Sequence, residues 1–378
     1  MLVKFHILNL RIGGQTESIN ALSNTLKDRG VETNLPLCWL INTEDKTQLN
    51  SYVNNNSIFR RFFHFFLGFL NVKNNCIHHV VLPSPAWSWL IFIVKALSRK
   101  QRSIFQFEGY SLGYHEKFRQ ILKWLKYDPL YYLIRLLLNN KLLAKLCPSK
   151  GVFYIVSSRL QAEELKGYHV DPALINIIPN ISLPIEKMEK EDSRSRLRLP
   201  MKSFIFGFAG ALSHVKGIDL LLKSYSLVLK RNQIRDCCLA IAGIEKPFIK
   251  IIDTNFDIKY MKFVDIRIFM SAIDILVLPY RTLLSTTIQP SLILEALTIG
   301  TTMITTRVSP LDEMEEYGIE FNYCEPDDCD GLAILMENSF SNYPEMQIQS
   351  EKNKKILRAI YFKDVTERYI RCYKSCIP

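Results

Sequence analysis

The sequence predicts an α/β protein made of two doubly wound, Rossmann-like parallel-sheet domains, and three observations predict it. Short apolar runs alternate with helical stretches along the chain, as βαβ units require. A glycine-bearing turn follows the first apolar run of each half, the usual opening of such a domain. The chain has 378 residues, more than one ordinary domain holds and enough for two of middling size. A hydrophobic content of 48% with 22% charged residues supports two buried cores. No segment is repetitive or of low complexity.

In the first half, Val3–Leu10 is a strand, followed by a loop with Gly13 and Gly14 and a helix from about Glu17 to Arg29. Ile19, Leu22 and Leu26 are spaced three and four apart and mark its buried face. Further strands fall at His79–Leu82, Ser103–Phe107 and Val152–Val156, with helical stretches between them. The second unit opens near residue 203: strand Phe204–Ala209, loop Gly210–Gly217, helix Ile218–Lys230. Later strands fall at Cys238–Ala242, Ile275–Leu278 and Met303–Thr305. The charges crowded at Glu186–Arg198 mark a linker. The expected organisation is therefore a first domain over 1–183, a linker over 184–200, a second domain over 201–355 and a terminal segment over 356–378. That last segment carries an aromatic and basic helix at Ile356–Tyr373.

The net charge of +11 is unevenly placed. Residues 1–183 hold 22 Lys and Arg against 11 Asp and Glu, whereas the remainder holds 26 of each. A basic half beside a neutral one implies a negatively charged partner for the first domain alone. Two stretches there mix bases with aromatics, Phe59–Leu70 and Phe118–Leu146. Each fits either an anionic lipid interface or a core helix with a snorkelling basic edge. No nucleic-acid signature accompanies the charge, so nucleic acid is not an expected partner. Nine cysteines without a CxxC pair read as free thiols in a reducing cytosol rather than as a metal site. The first residues run straight into a strand without the pattern of a signal peptide, and no apolar run is long enough to span a bilayer. A cytoplasmic protein is expected, with a peripheral place on the inner face of the membrane if the basic half meets lipid.

Several loops have the residue types that chemistry needs. In Gly210–Gly217 the two glycines permit a tight turn, and Lys216 stands just before a helix whose free amides favour an anion. It is either a cation for a diphosphate or an ordinary surface lysine. After Ile275–Leu278 come Pro279, Tyr280 and Arg281, then Ser285, Thr286, Thr287 and Gln289. Pro290, Ser291 and Leu292 open a helix that Gly300 stops. Glu295 lies inside that helix among apolar neighbours, so it needs a partner: a ribose diol and a structural hydrogen bond are equal candidates. Glu108 follows a strand and precedes Gly109, a place for an acid or base at a crevice or for a plain turn carboxylate. Gly13 and Gly14 admit close approach of a ligand or make a plain turn. Asp328 and Asp330 form a DxD, but their setting before Gly331-Leu-Ala reads as a helix cap rather than a metal site.

Taken in order, these segments resemble family-4 glycosyltransferases, a GT-B group with two facing Rossmann-like domains and a last helix that crosses back onto the first. The resemblance rests on the Gly13-Gly14 loop and its helix, Val156-Ser-Ser158, Ile177-Ile-Pro-Asn180, the Gly210–Gly217 loop with Lys216, and Glu295-Ala-Leu-Thr-Ile-Gly300. Glu313 falls where the family has a glutamate after the next strand. The resemblance implies a retaining transfer of sugar from a nucleotide-diphosphate donor to a glycan or lipid-linked glycan, in cell-surface polysaccharide or lipopolysaccharide synthesis, with no metal and no other cofactor. Lys216 and Glu108 are the implied catalytic residues. Gly13, Gly14, Gly210, Lys216, Arg281, Thr287, Gln289, Pro290, Ser291, Leu292 and Glu295 would bind the donor. The pattern departs at four points. Ala211 stands for the family's arginine, Thr287 for the first glutamate of its pair, Thr302 for a proline, and Glu108 for a histidine. His214 or Arg281 would have to replace the lost arginine. These departures keep a second reading open, that of a catalytically weak binding subunit of a transferase complex.

Overall fold

Cys76–Leu82 reads CIHHVVL, apolar or aromatic throughout and rich in β-branched residues, and all seven residues are buried. A strand covered by helices on both faces must read this way, because neither face meets water. It is one of twelve strands among the described residues of a computed structural model. The structure describes residues 1–376 apart from 9–13, 36–64, 67–68, 70–75, 98–101, 116, 128, 183–184, 232–233, 235, 244–256, 263, 283–289 and 309.

The chain divides into two compact units. One comprises Met1–Ser182, Leu284–Ser291 and Lys363–Pro378, the other Leu183–Leu283 and Leu292–Phe362. The first contains β1 (Leu2–Ile7), β2 (Glu32–Asn34), β3 (Cys76–Leu82), β4 (Arg102–Phe107), β5 (Phe153–Val156) and β6 (Ile175–Ile177). They pair in parallel in the order β2-β1-β3-β4-β5-β6. The order reverses between β1 and β3, the kind of point at which open α/β sheets take ligands beyond the carboxyl ends of the strands. Phe65 and Phe69, from the basic aromatic stretch Phe59–Leu70, are buried with Val80, Phe105 and Phe107. The described part of that stretch is therefore core, and the rest of it lies outside the described residues. The helix Phe362–Ser375 packs on the same sheet through Tyr369 and Tyr373.

The second unit contains β7 (Phe204–Ala209), β8 (Cys237–Ala242), β9 (Ile258–Met261), β10 (Ile275–Leu278), β11 (Thr302–Thr306) and β12 (Asn322–Cys324). They too are parallel, in the order β12-β11-β10-β7-β8-β9. Here the reversal lies between β7 and β10, and the loops that leave these two strands meet above it. Phe206, Phe208, Ile241, Val277 and Ile304 fill the core beneath.

Two segments and four short strands differ from the sequence reading. Residues 184–200, expected as a linker, include a helix, Lys190–Leu197, that packs into the second unit. Arg194 anchors it: its guanidinium meets Asp274 at 2.7 Å, and both side chains are buried. The terminal helix is not continuous from Ile356. A helix Tyr343–Ile356 passes through a π-turn at Leu357–Tyr361 before Phe362–Ser375 begins. Tyr361 is the reason, since it is fully buried in the second unit edge-on to Tyr317 at 5.1 Å and holds the turn there. The short strands β2, β6, β9 and β12 were not expected.

Candidate functional site

At the reversal of the second sheet, two loops are pinned together. After β7, Gly210 turns with φ of +130° and Gly217 with φ of +73°. A Cβ on Gly217 would lie 1.8 Å from the Pro279 carbonyl oxygen, so only glycine lets the loop after β7 approach the one after β10. The backbone N–H of Arg281 donates to the Val215 carbonyl at 2.9 Å and locks the same approach. Gly243, at the end of β8, closes on the Gly210 carbonyl oxygen, where a Cβ would stand 2.2 Å away. Three strand ends thus converge without side chains in the way.

That convergence sets Lys216 over Tyr280. The ammonium lies 5.3 Å from the centre of the ring, within the range of a cation–π attraction. Tyr280 is fully buried, and its hydroxyl has no hydrogen-bond partner among the described residues. Burial pushes its phenol well above the ordinary range, and the charge of nearby Glu295 pushes it further. Glu295 is 5% exposed, on the buried side of the helix Ser291–Ile299. Ammonium, orphaned phenol and buried carboxylate thus lie close to one another at the carboxyl edge of the sheet. Such a trio can take an anion and a hydroxyl-bearing ligand side by side. Gly300, at φ +80°, ends the helix as its spacing predicted, with its N–H and that of Thr301 both on the Ala296 carbonyl at 2.9 Å.

Arg281 lies in the same loop, but carboxylates hold its guanidinium. Asp219 takes it in a two-point grip at 2.6 and 3.1 Å, and Asp327 and the His214 carbonyl take the rest. Burial alone would raise the Asp219 carboxyl; hydrogen bonds from His214 and Arg281 overcome it and hold the group well below the usual range. Arg281 is therefore a brace between the loop after β10 and the helix Ile218–Arg231. Asp328 caps the helix Cys329–Ser341, accepting from the Gly331 N–H at 2.8 Å, and Asp330 pairs with Arg231 at 2.9 Å. Among the described residues no group of three or more His, Cys, Asp or Glu is arranged to hold a metal.

In the first unit, Glu108 follows β4 directly and is 3% exposed. Gln106 Nε2 donates to Glu108 Oε1 at 2.8 Å, and Glu108 Oε2 is buried with no partner among the described residues. Burial raises this carboxyl to about 7, and the Gln106 bond moderates the rise. Gln106 Oε1 in turn meets His79 Nε2 at 2.9 Å and the Tyr369 hydroxyl at 3.2 Å, and His79 Nδ1 meets the Tyr373 hydroxyl at 2.8 Å. Burial drives His79 down to about 3, so the imidazole is neutral. A buried polar chain thus runs from the last helix to a strand-end carboxyl, one oxygen of which has no partner among the described residues.

Of the expected site residues, Gly210, Lys216, Arg281 and Glu295 lie in the second unit. Pro290 is buried just ahead of the helix, and Ser291 and Leu292 form its first turn. Gly14 begins the helix Gly14–Lys27 of the first unit. Gly13, Thr287 and Gln289 lie outside the described residues. Tyr280, His79 and Gln106 received no role from the sequence. A signal existed for one of them: Gln106 lies two residues before Glu108, which follows β4 directly, and residues two apart along an extended run share a face.

Residues 203–342 match the family described as glycosyl transferases group 1. No curated protein matches by sequence. Solved structures are similar over nearly the whole chain. HepE of Anabaena, in complex with UDP and glucose, has a TM-score of 0.69 at 13% identity, covering 99% of this chain and 100% of its own. Sucrose-phosphate synthase of Thermosynechococcus elongatus has a TM-score of 0.65 at 14% identity, covering 99% and 98%. A glycosyltransferase of Rickettsia africae has a TM-score of 0.61 at 15% identity, covering 100% and 98%.

Proposed function

We propose that the chain, whose residues 203–342 match glycosyl transferases group 1 and whose fold is GT-B, is a glycosyltransferase that moves a sugar from a nucleotide-diphosphate donor, with retention, onto a glycan or lipid-linked glycan. The observation that carries the donor half is the trio of Lys216, Tyr280 and Glu295 at the reversal of the second sheet. Lys216 neutralises the diphosphate, helped by the amides that open the helix Ser291–Ile299. Glu295 accepts the ribose hydroxyls, and Tyr280 gives its unpartnered hydroxyl to the donor. UDP is the first nucleotide to test, since HepE was solved with it. Gly13, Gly14, Thr287 and Gln289 belong to the same donor proposal.

In the reaction, the acceptor oxygen bonds the anomeric carbon while the bond from that carbon to the phosphate oxygen breaks. The electron pair leaves with the nucleoside diphosphate, where Lys216 stabilises it. The acceptor proton goes to Glu108, whose raised carboxyl suits proton transfer near neutrality. The first unit takes the acceptor. A place in cell-surface polysaccharide or lipopolysaccharide synthesis, and a peripheral position on the anionic inner face of a membrane, complete the proposal. Among the described residues no helix is long and apolar enough to cross a membrane.

One observation favours the reading of a weakly catalytic binding subunit. Arg281, which would have to replace the arginine that the resembled family has at Ala211, is held by Asp219 and Asp327 rather than offered to a ligand. Calorimetric titration with a panel of nucleotide sugars, alongside sugar transfer to lipid and glycan extracts, separates the two. Binding with turnover supports the transferase. Binding without turnover on any extract supports the subunit, and no binding sinks both.

A further inference from the structure

The helices Phe118–Tyr127 and Pro129–Leu138 carry an apolar face turned to solvent. Leu130, Leu133, Ile134, Leu137 and Leu138 recur three and four apart, which places them in one stripe, and each is exposed, Leu130 to 69% and Leu137 to 64%. Phe118, 70% exposed, and Leu122 extend the exposed apolar surface onto the first helix. A soluble helix normally turns such a stripe to the core. Here the core contacts come from other residues. Ile121, Trp124 and Tyr132 are buried, and the Trp124 and Tyr132 rings lie 5.5 Å apart. Asn139 Nδ2 and Arg135 Nη2 both donate to the Tyr110 carbonyl, at 3.1 and 3.4 Å, and fasten the end of the second helix to the loop after β4. The outward stripe is therefore held in place.

The charge around it names the occupant. Residues 117–150 contain eight Lys and Arg and one acidic residue, Asp128. Lys117, Arg119, Lys123, Lys126, Lys141 and Lys145 are all exposed. A second copy of this face would set like charge against like charge, and nucleic acid has no use for a leucine stripe. An anionic bilayer satisfies both features, because its headgroups meet the bases while its acyl boundary takes the leucines. We propose that the helices Phe118–Tyr127 and Pro129–Leu138 form the membrane-docking face of the protein, inserting Leu130 and Leu137 below the headgroups of anionic lipid. This rests on the peripheral position proposed above and deepens it, since it replaces diffuse charge attraction by a defined inserted surface. The bonds from Asn139 and Arg135 tie that surface to Tyr110, two residues past Glu108, so a docked bilayer is coupled to the acceptor side.

Flotation of the full chain with phosphatidylglycerol–phosphatidylcholine vesicles, and with phosphatidylcholine alone, tests this. The wild type is expected to float with the anionic vesicles and to fall off in high salt. Leu130→Gln/Leu137→Gln is expected to bind at least about tenfold more weakly, since two apolar side chains lose their burial in the interface. Circular dichroism and thermal melting should show the fold unchanged, because both positions are exposed. Lys123→Gln/Lys126→Gln should weaken binding on the order of tenfold and flatten its salt dependence. A wild type that ignores anionic vesicles overturns both the peripheral position and this face. Tight binding left intact by the leucine variant overturns the face alone and leaves the peripheral position standing. A wild-type dimer in sedimentation that the leucine variant dissolves assigns the stripe to a second copy and overturns the lipid assignment.

Discussion

Gln106 Nε2 donates to Glu108 Oε1 across 2.8 Å, while the second oxygen of the carboxyl is buried without a partner among the described residues. A buried carboxylate with a single donor is poorly compensated for the loss of water. It therefore keeps its proton to about 7. The same glutamine engages His79 and Tyr369 through its other end, so the orientation of its amide is fixed by three partners.

This makes the pH dependence of stability specific. The ordinary value for Glu108 is 4.5 and the folded value about 7. Its contribution to stability is full below 4.5, declines as pH rises, and is gone above about 7, on the order of 3 kcal/mol in all. His79 works in the opposite sense. Its folded value is about 3 against an ordinary 6.5, so its contribution is full above 6.5 and is lost as pH falls toward 3. The two slopes oppose one another between 4.5 and 6.5 and flatten the wild-type profile there. In Glu108→Gln the histidine slope is no longer opposed by that carboxyl. Its urea midpoint should climb with pH to about 6.5 and then hold level, standing above wild type at pH 8. Parallel profiles for the two proteins would mean that Glu108 is ionised in the folded state.

Lys216 carries the next expectation. If its ammonium meets the diphosphate as that group departs, Lys216→Ala should lower kcat/KM by roughly 10²–10³-fold, most of it in kcat. UDP should bind more weakly as well, since the product bears the same charge. Steady-state kinetics with saturating and subsaturating donor read both effects. Full activity of Lys216→Ala at subsaturating donor would remove the lysine from the site.

Much of this second-unit site was legible because its signals are local. Gly210, Lys216 and Gly217 fall within one loop, and a strand before and a helix after are written in adjacent residues. The position of Glu108 at a strand end was legible for the same reason. The meeting of Lys216 with Tyr280 was not, because it depends on β7 and β10 being neighbours in the sheet. Strand order follows from packing, not from any local run. The link from His79 to Tyr373 spans 294 residues and left no mark on either neighbourhood. Phe65 and Phe118 show the limit most clearly. Both lie in basic aromatic segments that read alike, yet one is buried and the other is 70% exposed. Periodicity shows that a face exists but not what covers it.

Gly217 and Gly210 should separate under substitution although both are loop glycines with positive φ. A methyl group at Gly217 meets the Pro279 carbonyl oxygen at 1.8 Å, and backbone cannot step aside as a side-chain tip does. Gly217→Ala should therefore part the two loops, cost upward of about 3 kcal/mol and abolish nucleotide binding. At Gly210 the nearest atom is the flexible end of Lys216 at 3.6 Å, so only the strain of φ +130° remains. Gly210→Ala should cost about 1–3 kcal/mol. Thermal melts of the two variants, read beside UDP titration, check the order; equal losses would mean that the close approach at Pro279 is not rigid.

Asp274 supplies the last and largest stability effect. It sits at the start of β10, 4% exposed, and accepts from Arg194 at 2.7 Å, from the Ile205 N–H at 2.7 Å, and from Lys190. Arg194 adds bonds to the carbonyls of Ala272 at 2.9 Å and Met201 at 2.8 Å. The pair thereby ties the helix Lys190–Leu197 to the two strands whose ends carry the loops of the proposed donor site. Breaking the pair from the arginine side leaves buried Asp274 with Lys190 and the Ile205 N–H alone, so Arg194→Met should cost about 3 kcal/mol. Removing both charges should cost less than removing one. Arg194→Met/Asp274→Asn should recover part of the loss, because the amide that replaces the carboxylate carries no charge into the core while its oxygen still accepts from the Ile205 N–H. Urea unfolding of the two single variants and the double variant reads this as a coupling energy. Strict additivity would show that Arg194 acts through its carbonyl bonds and not through Asp274.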